Sequence, residues 1–218
     1  MLVVIGMQFD SVIAKYRSES YSERDKGTRF EELMSRYFMT DPTYASMLEW
    51  TKSWMNFPGR IDLGRMDTGI DLVAKTKTGE YWAIQCKCYA VDHRVSKADM
   101  DTFISTSGRK FRNDEGNMTA FSQRVIVATT DNWGENAIEG TSRQTIPVII
   151  ISLSMLNEAP VKWEEFEEGA HGSIARKEKY SLRPHQQEAV DKAIEHYRNN
   201  DRGKMIMACG TGKTFTSL

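Results

Sequence analysis

The sequence predicts an α/β protein, a mixed sheet covered by helices, followed by the opening elements of a second unit. Three observations predict it. Phe30, Leu33, Met34, Tyr37 and Phe38 recur at helical spacing, and the period then changes to that of a strand at Ile70-Asp71-Leu72-Val73-Ala74. A second strand pattern, residues 81–89, follows across a Thr78-Gly79 turn, so the pair reads as a hairpin. Two later apolar runs, residues 124–129 and 147–151, read as buried strands with a helical segment near residues 136–139 between them. The resulting order of helix, hairpin, helix, strand, helix, strand describes a sheet packed by helices.

The elements follow in order. Residues 1–21 read as a helical lead-in. Ser22 and Asp25 stand three apart as a capping box that opens the first strong helix, which stops at Asp41-Pro42. A second helix is expected over residues 44–55, carrying Met47, Leu48, Trp50, Thr51 and Trp54, and Pro58-Gly59 ends it. After the hairpin a helix is expected over residues 97–107, and Arg109, Lys110 and Arg112 fall in a loop, either solvated or touching DNA phosphates. The sheet domain spans residues 22–158. Residues 159–181, with Glu164, Glu165, Glu167, Glu168, Gly169 and Gly172, read as a polar connector. A new unit covers residues 182–218. Pro184 stands at a helix N-terminus, and Ala189, Val190, Ala193, Ile194 and Tyr197 form one helix face.

Composition narrows the class. The chain has 218 residues, 40% hydrophobic, enough for a packed core. A formal net charge of -1 removes any argument from bulk charge, because nucleic-acid binding needs only a local basic face. The three cysteines, Cys86, Cys88 and Cys209, form neither a disulfide framework nor a zinc spacing, and read as reduced thiols of a soluble cytoplasmic protein. No stretch approaches the length of an apolar membrane span, so no membrane partner is expected. The four histidines show no ligand spacing.

The hairpin carries the chemistry. With period two, Asp71, Gln85 and Lys87 can share one edge of a cleft. A strand reading Trp82-Ala83-Ile84-Gln85-Cys86-Lys87-Cys88 inserts polar groups into a core element, which is costly unless they serve a site. A hard cation such as Mg2+ wants oxygen ligands. Asp71 offers a carboxylate, Gln85 an amide oxygen and Cys86 its backbone carbonyl. Such a cation acidifies water and polarises a phosphate, while Lys87 steadies developing charge. Each residue taken singly also reads as an ordinary surface position, and the conjunction favours the site.

Asp71 followed by Gln85-x-Lys87 resembles the PD-(D/E)XK nuclease signature in its Gln-x-Lys form, as in Mrr-like restriction endonucleases. The resemblance covers roughly residues 22 to 152 and implies a restriction-endonuclease-like fold, a divalent metal and double-stranded DNA as partner. It also implies an acidic metal ligand on the first core helix, where Glu31 matches better than Glu32. Two departures stand: Gln85 replaces an acidic residue, and Asp67 competes with Asp71, which is preferred for its place in the strand. Lys97 is read as a solvated helix end or a residue facing the site.

Gly210-Thr211-Gly212-Lys213-Thr214 resembles a Walker A loop: glycine-rich backbone for phosphates, Lys213 for the outer phosphates, Thr214 for Mg2+. Met207 stands where the general pattern has its first glycine. Upstream, Leu182-Arg183-Pro184-His185-Gln186 resembles the adenine-reading segment of superfamily two helicases, with Gln186 reading the base. Residues 182–218 are thus expected to be the start of a RecA-like P-loop lobe that would bind ATP with Mg2+ only in a longer protein. No ATP hydrolysis is expected from this chain, which reads as truncated. The two units in this order resemble the N-terminal part of single-polypeptide Type I restriction enzymes, called Type ISP. That resemblance implies downstream helicase, methyltransferase and target-recognition domains, and defence against foreign DNA. The rival readings are a catalytically idle DNA clamp, which Gln85 favours, and a nucleotide-binding switch.

Overall fold

Residues 9–64, 68–167, 176 and 184–200 are described by the computed structural model. The chain runs α1 (Phe9–Glu19), α2 (Glu23–Thr40), α3 (Pro42–Met47), β1 (Leu48–Ser53), α4 (Arg60–Leu63), β2 (Leu72–Thr76), β3 (Tyr81–Lys87), α5 (Ala98–Thr106), β4 (Lys110–Arg112), β5 (Met118–Ala128), α6 (Glu135–Thr141), β6 (Val148–Ile151), α7 (Leu153–Glu158), α8 (Trp163–Glu167) and α9 (Pro184–Tyr197). Two compact units divide at residue 177, and α9 belongs to the second. No described helix is long and apolar enough to cross a membrane.

The strand order is β1-β2-β3-β5-β4, with β6 also on β5. β1, β2 and β3 pair antiparallel. β5 is long because it serves two partners: Met118, Thr119 and Ala120 pair antiparallel with β4, whereas Arg124 to Val127 pair parallel with β6. β3 and β5 are parallel. The sheet is therefore mixed, as expected.

Alternation along the strands divides the core between the two faces. Leu72, Ala74, Trp82, Ile84, Val125 and Val127 join Phe9, Val12 and Ile13 of α1, and Phe30, Leu33, Met34, Tyr37 and Phe38 of α2. On the other face Val73, Tyr81, Ala83 and Ile126 join Met100 and Phe103 of α5, with Trp54, Phe57, Phe111 and Phe121. The N-cap of α2 forms as expected: Asp25 N donates to Ser22 Oγ at 3.1 Å. The return bond, from Tyr21 N to Asp25 Oδ2 at 3.2 Å, comes one residue earlier than in the standard box.

Four expectations are corrected. The helix over residues 44–55 ends at Met47, and residues 48–53 form the edge strand β1. Leu48, Trp50 and Thr51 suit a pleated surface, and pairing with β2 decides the matter. The loop around Arg109, Lys110 and Arg112 is partly strand, since β4 turns back through Asn113, whose Oδ1 accepts from the backbone N–H groups of Glu115 and Asn117 at 3.0 and 2.8 Å. The lead-in helix packs into the core rather than preceding it. The start of the expected connector does so too: Val161, Trp163 and Phe166 are buried, and Trp163 stacks on Tyr37 with ring centroids 5.5 Å apart. Arg36 Nη1 and Arg176 Nε tie this stretch to α2 through Phe166 O and Thr40 O, each at 2.6 Å.

Candidate active site

The site forms where β2 begins and β3 ends. Asp71 stands one residue before β2 rather than inside it, yet its backbone continues the ladder: its N–H donates to Ile84 O at 2.9 Å and its carbonyl accepts from Trp54 N at 2.8 Å. The register Leu72↔Ile84, extended by one residue, sets Asp71 opposite Gln85. Gly69 permits this approach. It adopts φ +68, and a Cβ there would lie 2.9 Å from Phe103 N on α5. Asp67, the competing carboxylate, lies outside the described residues.

Asp71 Oδ2 accepts from Cys86 N at 2.6 Å, which fixes the carboxylate against β3. Burial nevertheless raises the Asp71 pKa to about 6, opposed by that bond and by the Lys87 ammonium. Glu31, on α2, is pushed up to about 7 by burial, then by the charge of Asp71 and then by Glu32. Glu31 and Asp71 are thus near enough to resist joint ionisation. The Cys86 thiol, between the two electrostatically, is pushed up by burial and then by both carboxylates.

Gln85 is 2% exposed, and its Oε1 is buried without a hydrogen-bond partner among the described residues. An orphaned buried acceptor is expensive, so this oxygen calls for a donor or a cation. Lys87, half-buried, makes no hydrogen bond or ion pair with the described residues. Its backbone carbonyl accepts from Thr129 N at 3.0 Å, which anchors the end of β3.

Two crowded carboxylates and an orphaned amide oxygen fit a hard divalent cation, whose charge would relieve both strains. Among the described residues no three His, Cys, Asp or Glu side chains gather into a metal group. A cation at this place would therefore draw on the Gln85 oxygen and the Cys86 carbonyl besides Glu31 and Asp71.

Lys97 is directed elsewhere, since its ammonium pairs with Asp101 at 3.0 Å on the exposed side of α5. A bracing group beside the site went unread in the sequence. Tyr89 Oη donates to Asp99 Oδ1 at 2.9 Å, and Ser96 N and Oγ both donate to Asp99 Oδ2 at 2.7 Å. His93 stacks on the Tyr89 ring with centroids 3.9 Å apart. The signal was present as Ser96-x-x-Asp99, the spacing of a capping box, of which only the Asp99 half forms, since Ser96 Oγ donates to Asp99 rather than accepting from its N–H. Cys86 and Cys88 are free thiols, as expected. Residues 210–214 and the Gln186 side chain lie outside the described residues.

A mixed sheet of this topology flanked by helices is a restriction-endonuclease-like fold. The chain belongs to the restriction endonuclease family, which matches residues 39–173. Residues 179–218 match a second family, described as Type III restriction enzyme, res subunit. Among solved structures the chain is similar to the ATP-dependent Type ISP restriction-modification enzyme LlaBIII bound to DNA, at 30% identity and a TM-score of 0.67 over 97% of this chain. It spans 12% of the length of that enzyme. A more distant likeness, 17% identity and a TM-score of 0.40, is to the MspJI restriction endonuclease in complex with a 27-mer oligonucleotide, over 68% of this chain and 29% of that one. No curated protein sequence matches the chain.

Proposed function

We infer that the chain is a Mg2+-dependent DNA endonuclease domain serving an ATP-driven restriction enzyme. The observation that carries the reading is the buried Gln85 oxygen, without a hydrogen-bond partner among the described residues, beside the Asp71 carboxylate, whose charge raises Glu31, and the Lys87 ammonium, which makes no ion pair with the described residues. Glu31, Asp71, Gln85 and the Cys86 carbonyl would hold the cation, which supplies charge against the phosphate and acidifies water. Asp71, pinned by the Cys86 N–H, holds its position without reorganisation. Lys87 orients the attacking water and offsets charge that grows on a phosphate oxygen. Burial of Gln85 and partial burial of Asp71 strengthen these interactions by limiting water.

The substrate is double-stranded DNA, foreign to the cell, delivered by a helicase-type translocase. Residues 182–218 open that motor in this reading: Gln186 reads adenine, and Gly210, Thr211, Gly212, Lys213 and Thr214 bind the phosphates and Mg2+ of ATP in the full-length protein. Methyltransferase and target-recognition domains are its further partners. The likeness to a Type ISP enzyme over nearly the whole chain supports this assignment.

The neutral Gln85 also favours a second reading, a DNA clamp without catalysis. Cleavage separates the two. Labelled duplex DNA is incubated with the chain in Mg2+, then in EDTA, then after Mg2+ is restored. Scission that tracks the cation supports the nuclease, and binding without scission at any cation concentration selects the clamp.

A further inference from the structure

A cleft of about 420 Å3 lies on the outer flank of α5. Gly64, Thr68, Thr102, Ser105, Thr106 and Arg109 line it. Its wall consists largely of unspent donors. The hydroxyls of Thr102, Ser105 and Thr106 and the guanidinium of Arg109 make no side-chain hydrogen bond or ion pair with the described residues. Thr68 Oγ1 accepts from Ile70 N at 3.4 Å and keeps its own proton to give. The carboxylate in the wall, Asp101, is held by the Lys97 ammonium at 3.0 Å, which offsets its charge.

The carbonyl end of α5 would ordinarily repel an anion. Here it is covered: Arg124 Nη2 donates to Ile104 O at 2.9 Å and Ser107 Oγ donates to Phe103 O at 2.6 Å. Arg124 itself is buried and engaged with Ser107 Oγ at 2.7 Å, so among the described residues the free cation of the cleft is Arg109. A planar guanidinium among neutral hydroxyls matches the oxygens of a phosphodiester, the group such side chains hold when they fix the register of a duplex. Thr68 precedes Asp71 by three residues, so at most about 11 Å of chain separates them. Phosphates on one strand advance by about 3.4 Å of helix axis, which puts the Thr68 wall of the cleft within roughly three nucleotides of a phosphate at Asp71.

We propose that this cleft seats the phosphodiester backbone of duplex DNA beside the phosphate to be cut, with Arg109 as its principal contact. The proposal rests on the nuclease reading of Asp71, Gln85 and Lys87. Anisotropy of a short labelled duplex is measured across a salt series with the full chain, Arg109→Ala, Arg109→Lys, Ser105→Ala and Lys87→Ala. Arg109→Ala is expected to bind about tenfold more weakly and to lower the salt slope by about one, with an unchanged thermal melt. Arg109→Lys restores the slope but only part of the affinity, and Ser105→Ala gives a smaller loss with no change of slope. Arg109→Ala that binds as tightly as wild type, with the same slope, overturns the proposal and leaves the cleft to a protein contact. A wild-type chain that binds no duplex overturns it as well. Cleavage by the wild type and its loss in Lys87→Ala are read separately, so failure of the nuclease reading is distinguishable from failure of the cleft.

Discussion

Glu31 and Asp71 are held protonated to higher pH than carboxylates in water, at about 7 and about 6 against ordinary values of 4.5 and 3.8. The native state therefore binds more protons than the unfolded chain between about pH 4 and pH 7, so these two groups make stability fall as pH rises through that window. A salt-bridged carboxylate would do the opposite. Calorimetric melts of the metal-free chain should accordingly show a Tm that declines from pH 5 to pH 8, and a shallower decline in Asp71→Asn and Glu31→Gln. Slopes identical in all three proteins would refute the coupling. In the proposed site a cation would bind with both groups ionised, so Mg2+ affinity is expected to rise with pH over the same window, with protons released on binding that a titration calorimeter can count. The individual residues were legible in the sequence because Gln85 and Lys87 interrupt an otherwise apolar strand. The bond from Cys86 N to Asp71 Oδ2 was not, because it depends on register.

At the scale of elements, Gly69 joins the hairpin to α5. Gly69→Ala forces a side chain into φ +68 and to within 2.9 Å of Phe103 N. Thermal or urea unfolding should record a loss of about 2 kcal/mol or more, together with loss of cleavage as Asp71 shifts. An unchanged variant would mean that the loop is not held against α5. Ser22→Ala removes the α2 cap and should cost about 1 kcal/mol in the same assay. The hairpin and α2 were readable because each carries its own period. β1 was not: its six residues hold apolar groups at spacings that suit either state, and the free edge of β2 makes them a strand. β4 was hidden by its length of three residues, although Asn113 and Gly116 signalled the turn; in the pair Phe111 faces Thr119 and its ring meets that of Phe121 diagonally, with centroids 4.7 Å apart.

At the scale of the molecule, the first unit is a single sheet with a core on each face, and its boundary lies beyond the acidic stretch that composition marks as connector. Glu164 and Glu165 face outward from α8 while Trp163 and Phe166 are buried, a helical alternation too short to stand out from the charge. Trp163→Ala should lower stability by about 3–5 kcal/mol if α8 belongs to the core, and by very little if it is a tether. α2 carries Glu31, and it is tied to this segment by its own Arg36, which donates to Phe166 O, and by its Thr40 O, which accepts from Arg176, so the frame of the site includes the segment. The central claim is that Asp71 and Lys87 cut DNA with a divalent cation. The measurement is nicking of supercoiled plasmid in Mg2+ by the wild-type chain, Asp71→Ala and Lys87→Ala side by side. Nicking by the wild type that disappears in both variants is the predicted result; nicking that survives in both would contradict the account.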